Sequence, residues 1–216
     1  THERNKDLYA VEAVEEAVRV AEQAQVRLQV SHIIPRRGGP PAALDLAMDV
    51  VQQAHQRGMD VGFDAHTRLH GILNLSAALP TWALEGGPGN LEARLKDPST
   101  RAKIREYESI VSNKRHVGWD RVFLFSSHGR PDLVGKSFQE IAPPGGDPLD
   151  AVLNVLLAEC DDPHRSMIIS HSYEEEELRQ TFLHPLCTVG SDATALATDG
   201  PLAGFVGALN GLLQKL

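Results

Sequence analysis

Two apolar, β-branched runs in this chain end in residues able to do chemistry, and that pattern narrows the folds open to it. Val26-Arg27-Leu28-Gln29-Val30 leads into Ser31-His32, and Cys187-Thr188-Val189 leads into Gly190-Ser191-Asp192. A third phrase, Thr1-His2-Glu3-Arg4, opens the sequence with no apolar run before it. Histidines and aspartates at the C-terminal mouths of parallel strands are where α/β barrels keep their active sites. The order His2, His32, Asp192 therefore predicts two metal ligands and a carboxylate that moves protons. The strand that should carry His2 is missing, so the sequence reads as part of a longer chain.

Hydrophobic periodicity supports the same architecture. Leu8, Val11, Val14, Ala17, Val18 and Ala21 share one helical stripe, with Glu15 and Arg19 as an i,i+4 pair opposite. Between Pro41 and Gly58, Leu44, Ala47, Val50, Val51 and Ala54 predict a second amphipathic helix. Met59 to Phe63 reads as a strand running into Asp64-Ala65-His66. Helix, strand, helix, strand is the rhythm of parallel βα units.

Near Leu79-Pro80 the rhythm changes. Helices are expected from Asp97-Pro98, from the capping box of Ser137 and Glu140, and from Asp147-Pro148, with an isolated strand at Val122 to Phe125. The βα rhythm resumes at Met167-Ile168-Ile169. Ser172 is expected to cap the following helix with Glu175 as its N3 partner. The run Glu174 to Glu177 then lies in a first turn, where negative charge meets the helix dipole. A weak amphipathic helix is expected from Phe205 to Leu216. The expected organisation is barrel βα units over 1–84, an inserted lobe over 85–164, and remaining barrel units with a C-terminal helix over 165–216. The fold class is α/β, an incomplete TIM-barrel-like arrangement of parallel βα units.

Composition narrows the function. At 42% hydrophobic and 23% charged, the chain is not a disordered one. A net charge of −8 argues against a nucleic-acid groove. No apolar stretch approaches the roughly 18 residues of a membrane span, and Cys160 and Cys187 form no CxxC pair. With no signal peptide either, the cytoplasm is the default compartment.

Of ten histidines, His55, His116, His164 and His184 read as solvated or packed side chains without partners, and His70 and His128 sit undecided in glycine-containing loops. His171 follows a strand but neighbours the expected helix cap. His2, His32, His66 and Asp192 differ, because all four would emerge on one face of a parallel barrel. Imidazole and carboxylate suit zinc and similar ions; the plainer reading is polar strand ends bonded to loop backbone.

The phrases together resemble the N-acyl-D-amino-acid deacylase (D-aminoacylase) family of the amidohydrolase superfamily. Thr-His-Glu-Arg at 1–4, Ser-His at 31–32 and Asp-Ala-His at 64–66 carry the likeness. So do Leu-Pro-Thr-Trp-Ala-Leu-Glu-Gly-Gly at 79–87, Gly-Lys-Ser-Phe-Gln-Glu-Ile-Ala at 135–142, and Gly-Ser-Asp at 190–192. They stand in the family's order over most of the chain to about residue 200.

The resemblance implies that His2 and His32 bind zinc, one or two ions in the complete enzyme, and that Asp192 is the acid/base. Zinc lowers the pKa of bound water to about 7. Asp192 would take that water's proton as hydroxide attacks the amide of an N-acyl amino acid, then give it to the leaving amine. Ser191 has no Gly-x-Ser-x-Gly elbow around it and is not read as a nucleophile. Where the family has Ser-His-x-Lys, a lysine that helps hold the substrate carboxylate, this sequence has Ile34; Arg36 or Arg37 could serve that carboxylate instead. His66 stands where many members have Asp-x-Tyr, and its role as donor or ligand is open. The family's first-strand His-x-His pair and bridging ligand should lie before residue 1, and its His-Pro-Arg-like segment after Gly-Ser-Asp is absent. Cys187 reads as a small hydrophobe. Two alternatives stand beside the deacylase reading: a barrel-derived binding or scaffold protein without catalysis, and an amidohydrolase acting on cyclic amides. A half-barrel would also expose sheet edges and an apolar face, which favours self-association.

Overall fold

The apolar stripe that predicts the first helix is the face that it buries. In the structure, a computed structural model that describes residues 1–192, 194–196 and 204–206, α1 (Ala10–Ala24) turns Ala10, Ala13, Val14, Val18 and Ala21 inward. Leu8 lies before the helix and is half exposed, so the stripe begins later than its spacing suggests. After β1 (Leu28–Val30), α2 (Ala43–Gln56) buries Leu44, Ala47, Met48, Val51 and Ala54. β2 (Val61–His66) is longer than expected and carries its pairing through Asp64-Ala65-His66.

Residues His70–His171 form a second compact unit, apart from the first unit of 1–69 and 172–216. This second unit contains β3 (His70–Asn74), the short α3 (Thr81–Leu84), α4 (Pro88–Lys96), α5 (Pro98–Glu106), β4 (Val122–Ser126), α6 (Phe138–Ile141), α7 (Pro148–Ala158) and β5 (Met167–His171). Asp97 caps α5, Asp147 caps α7, and Ser137 with Glu140 forms the expected capping box on α6. The strands pair antiparallel in the order β3-β5-β4. Two expectations are corrected here. Val122–Ser126 is not isolated, and Met167-Ile168-Ile169 is the centre of an antiparallel sheet and not a parallel barrel strand. A short run buried on both faces reads alike in either sheet, and pairing direction leaves no local mark. The core of this unit gathers Leu75, Leu95, Leu124, Phe138, Leu153 and Ile168. Glu159 fastens its 127–129 turn, where Oε1 accepts from Ser127 Oγ and from the amides of His128 and Gly129.

The chain returns to the first unit through α8 (Glu175–Leu183) and β6 (Cys187–Gly190). β1, β2 and β6 form a parallel sheet in the order β1-β2-β6. Residue 2 bridges in parallel to Ser31 on the outer side of β1, where the Ser31 amide donates to the Thr1 carbonyl (2.8 Å). Ser172 is not the cap of α8. Its amide donates to Leu69 O and its carbonyl accepts from the Arg37 amide; the N-cap position falls two residues later, at Glu174, and the helix starts at Glu175. Glu175, Glu176 and Glu177 do occupy the first turn. β7 (Thr194–Leu196) and β8 (Gly204–Val206) pair antiparallel, so the strand β8 covers the start of the helix expected from Phe205; the rest of that helix lies outside the described residues.

Val30, Ile33, Ile34, Val51, Phe63 and Ala65 pack as the core of the first unit. Phe63→Ala should cost about 3–5 kcal/mol, and Leu46→Ala, at a half-exposed position, less than about 0.5 kcal/mol. Urea unfolding of the two variants checks this; equal losses would contradict the assigned core.

Candidate functional site

Parallel pairing brings three strand ends to the same edge. β2 lies between β1 and β6, with His66 in register with Gly190 and Phe63 with Val30. His32, His66 and Asp192 therefore follow or end adjacent strands on one side of the sheet, and the segment carrying His2 lies outside β1. Among the described residues, four non-glycine residues have positive φ, and His32 (45°) and Asp192 (43°) are two of them. This backbone region is uncommon outside glycine and clusters at functional sites.

His2 and His32 meet. His2 Nδ1 and His32 Nε2 are 2.7 Å apart, with the rings edge to face at 4.4 Å. Partial burial and then the His32 ring hold the His2 pKa below its usual 6.5. His32 is fixed by its backbone, whose amide donates to Asp64 Oδ1 (2.8 Å). Asp64 reaches it because Gly190 has no side chain: a Cβ there would lie 2.6 Å from Asp64 Oδ1. The glycine of Gly-Ser-Asp thus has a steric cause.

His66 is fully buried, and neither ring nitrogen has a hydrogen-bond partner. Its ring packs edge-on against Tyr173, centroids 4.5 Å apart. Burial first, and then the Lys6 and Arg68 cations, push its pKa down to about 3, with Asp192 acting in the opposite sense. Asp192 is clamped by Arg68, which donates from Nη2 to Oδ2 (2.6 Å) and from Nη1 to the Ser191 carbonyl (3.0 Å). Arg36 pairs with Asp7 (3.2 Å) and Arg37 with Glu174.

Sequence reasoning missed Glu3, Lys6, Asp64, Arg68 and Tyr173. Lys6 is 3% exposed; its Nζ lies 3.0 Å from His32 Nδ1, 3.4 Å from the Tyr173 hydroxyl and 5.1 Å from the Tyr173 ring centre. Glu3 Oε2 lies 3.1 Å from the same His32 Nδ1, yet without the alignment of a hydrogen bond. Glu3 adjoins His2 in the opening phrase and Lys6 follows two residues after that phrase, and this closeness in sequence was the available signal. Elsewhere, His164 Nδ1 contacts Ser76 Oγ, and His184 accepts from the Leu186 amide and packs on Phe63, so neither lacks a partner. His55 is exposed, and the His116 side chain lies outside the described residues. His70 and His171 stack on each other across β3 and β5 of the second unit (5.2 Å). Cys187 is half-buried against the core, and its burial pushes the thiol up to about 11.

No family model and no curated protein sequence matches the chain. Solved structures do. An N-acyl-D-glutamate deacylase from Bordetella bronchiseptica, complexed with zinc and a phosphonate inhibitor, superposes with a TM-score of 0.59 at 20% identity. Two structures of D-aminoacylase, one described as defining a subset of amidohydrolases and one addressing its binuclear metal centre, give 0.60 at 18% and 17%. Each likeness covers 89% of this chain and 31% of the other. The chain shares the fold of these metal-dependent deacylases over about a third of their length. Among the described residues no helix is long and apolar enough to cross a membrane.

Two outcomes check this geometry. Unfolded, His66 takes up a proton near pH 6.5; folded, it does so only near 3. Below pH 6.5 the unfolded state holds the extra proton, so stability falls as pH drops from about 6.5 toward 3, by up to about 1.4 kcal/mol per unit, and is unaffected above. His66→Gln should lack that slope between pH 6.5 and 5; an identical slope would show that His66 is protonated when folded. Gly190→Ala should displace Asp64 and speed hydrogen exchange of the His32 amide at least about tenfold, the loss of one partly buried hydrogen bond. Unchanged exchange would refute the steric account.

Proposed function

We propose that the chain carries the histidine and aspartate side of a metal-dependent amidohydrolase site that cleaves the amide bond of N-acyl-(D-)amino acids. The observation that carries this reading is the approach of His2 Nδ1 and His32 Nε2 to 2.7 Å at the C-terminal edge of a parallel sheet. Two nitrogens on one tetrahedral zinc at about 2.0–2.1 Å span roughly 3.3 Å, so a small side-chain adjustment would let both bind one ion. The donor chemistry fits, with two imidazoles from neighbouring chain segments and a carboxylate beside His32 Nδ1. Among the described residues no group of three donors forms, and the remaining ligands would come from sequence beyond these 216 residues, as the 31% coverage of the zinc-bound deacylase suggests. The parallel sheet would then be one sector of a TIM barrel, and the second unit, His70–His171, an insertion wider than the 85–164 expected from the sequence.

When bound, the metal would supply Lewis acidity toward the amide carbonyl and acidify the attacking water. Asp192 would move the protons. Arg68 holds Oδ2, which leaves Oδ1 to take a proton from water and return it to the leaving amine. His66, held neutral at pH 7, would offer an uncharged hydrogen bond to the substrate, and Arg36 or Arg37 would serve its carboxylate once released from Asp7 or Glu174.

The second reading, a scaffold without catalysis, draws on Ile34 and on the lack of a third donor among the described residues. Calorimetric zinc titration and an assay on N-acetyl-D-amino acids separate the two. The deacylase reading expects His32→Asn to weaken zinc binding more than about 100-fold, and Asp192→Asn to keep zinc while losing at least about 100-fold in turnover. Zinc-free, inactive protein in the chain and in a longer version carrying its upstream sequence would favour the scaffold.

A further inference from the structure

His32 Nδ1 has two rivals that require opposite states of the ring. An ammonium has hydrogens to give and no lone pair, so Lys6 Nζ, 3.0 Å away, can bond only a bare Nδ1. A carboxylate has lone pairs only, so Glu3 Oε2, 3.1 Å away, can bond only Nδ1–H. A neutral imidazole carries one proton, and the two bonds exclude each other.

The two contacts differ in geometry. The Lys6 contact has hydrogen-bond geometry, whereas Glu3 Oε2, on a side chain 2% exposed, approaches the same nitrogen off the ring's hydrogen-bonding direction and has no hydrogen-bond partner. A buried carboxylate oxygen without a donor is costly and calls for a cause. With Lys6 on Nδ1, the His32 proton sits on Nε2 and faces His2 Nδ1 at 2.7 Å, which blocks the lone pair that a metal would need. With the proton on Nδ1, a small turn of the Glu3 carboxylate into the ring plane would give Oε2 its missing donor, and Nε2 becomes bare.

We propose that Lys6 and Glu3 are opposing positioning residues for His32: Lys6 holds the tautomer that cannot ligate a metal, and Glu3 stabilises the one that can. This rests on the metal reading above and adds to it a built-in resistance to metal uptake. Entry of the ion requires the His32 proton to move from Nε2 to Nδ1, where the new N–H donates a hydrogen bond to Glu3, while Lys6 keeps its second contact, the Tyr173 hydroxyl at 3.4 Å. The proton stays on the ring throughout, so charge and atoms balance.

The test uses the 216-residue chain. Nitrogen-15 NMR of the imidazoles in metal-free protein reads the tautomer, and calorimetric zinc titration reads affinity. His32 should carry its proton on Nε2 in the native protein and in Lys6→Arg, and on Nδ1 in Lys6→Met. Zinc should bind Lys6→Met at least about tenfold more tightly than the native protein, and Glu3→Gln at least about tenfold more weakly. A native His32 protonated on Nδ1, or a proton that stays on Nε2 in Lys6→Met, would overturn the inference. So would tighter zinc binding in Lys6→Met with the tautomer unmoved, since Lys6 would then act by charge alone. Zinc binding by none of the proteins, with the tautomers as expected, would overturn the metal reading and leave the tautomer control standing.

Discussion

One carboxylate ties together the strand ends of the parallel sheet in the first unit. Asp64, on the central strand of the parallel sheet, accepts the backbone amide of His32 beyond the strand on one side. On the other side it occupies space that any side chain at Gly190 would take. The contact is short and covers all three strands. It holds His32 in a left-handed backbone conformation that the residue would otherwise avoid, and Asp192, two residues after Gly190, adopts the same conformation. Backbone strain of this kind persists only where surrounding bonds over-determine it.

Beyond that contact lies a polar island at the edge of an apolar core. Val30, Ile33, Ile34, Phe63 and Ala65 exclude water below it, while Glu3, Lys6, His32 and His66 are buried above it. Burying charges in such a place costs stability unless every group finds its partner. Two groups do not: His66 lacks partners on both ring nitrogens and Glu3 on one oxygen. Unsatisfied buried groups beside a strained backbone fit a site shaped to receive something. The Arg68 clamp on Asp192 shows the opposite tendency, a carboxylate fully oriented before any ligand arrives.

The periodicities of α1 and α2, the proline-led starts of α5 and α7, and the capping box on α6 were legible because each depends on side chains within a few residues. The same locality misled at Ser172, where a good capping residue follows a strand but spends its backbone groups on Leu69 and Arg37. β3 went unread because His70-Gly71-Ile72-Leu73-Asn74 has neither clear alternation nor a long apolar run, and β5 supplies its pairing from a hundred residues away. His2, His32, His66 and Asp192 stood out as strand-end residues. Lys6 and Tyr173 did not, since a lysine in a polar phrase and a tyrosine before an acidic run are ordinary until folding sets them side by side.

The amino-acid sequence by itself determined which segments could be helix or strand and which residue types waited at strand ends, since propensity, periodicity and capping act over one or two turns. Only the tertiary structure decided that one set of strands pairs parallel and the other antiparallel. It alone brought Lys6 and Glu3 to the same nitrogen of His32 and gave Asp192 to Arg68. Those outcomes depend on bonds between residues far apart in the chain, and no local pattern records the partner at the other end.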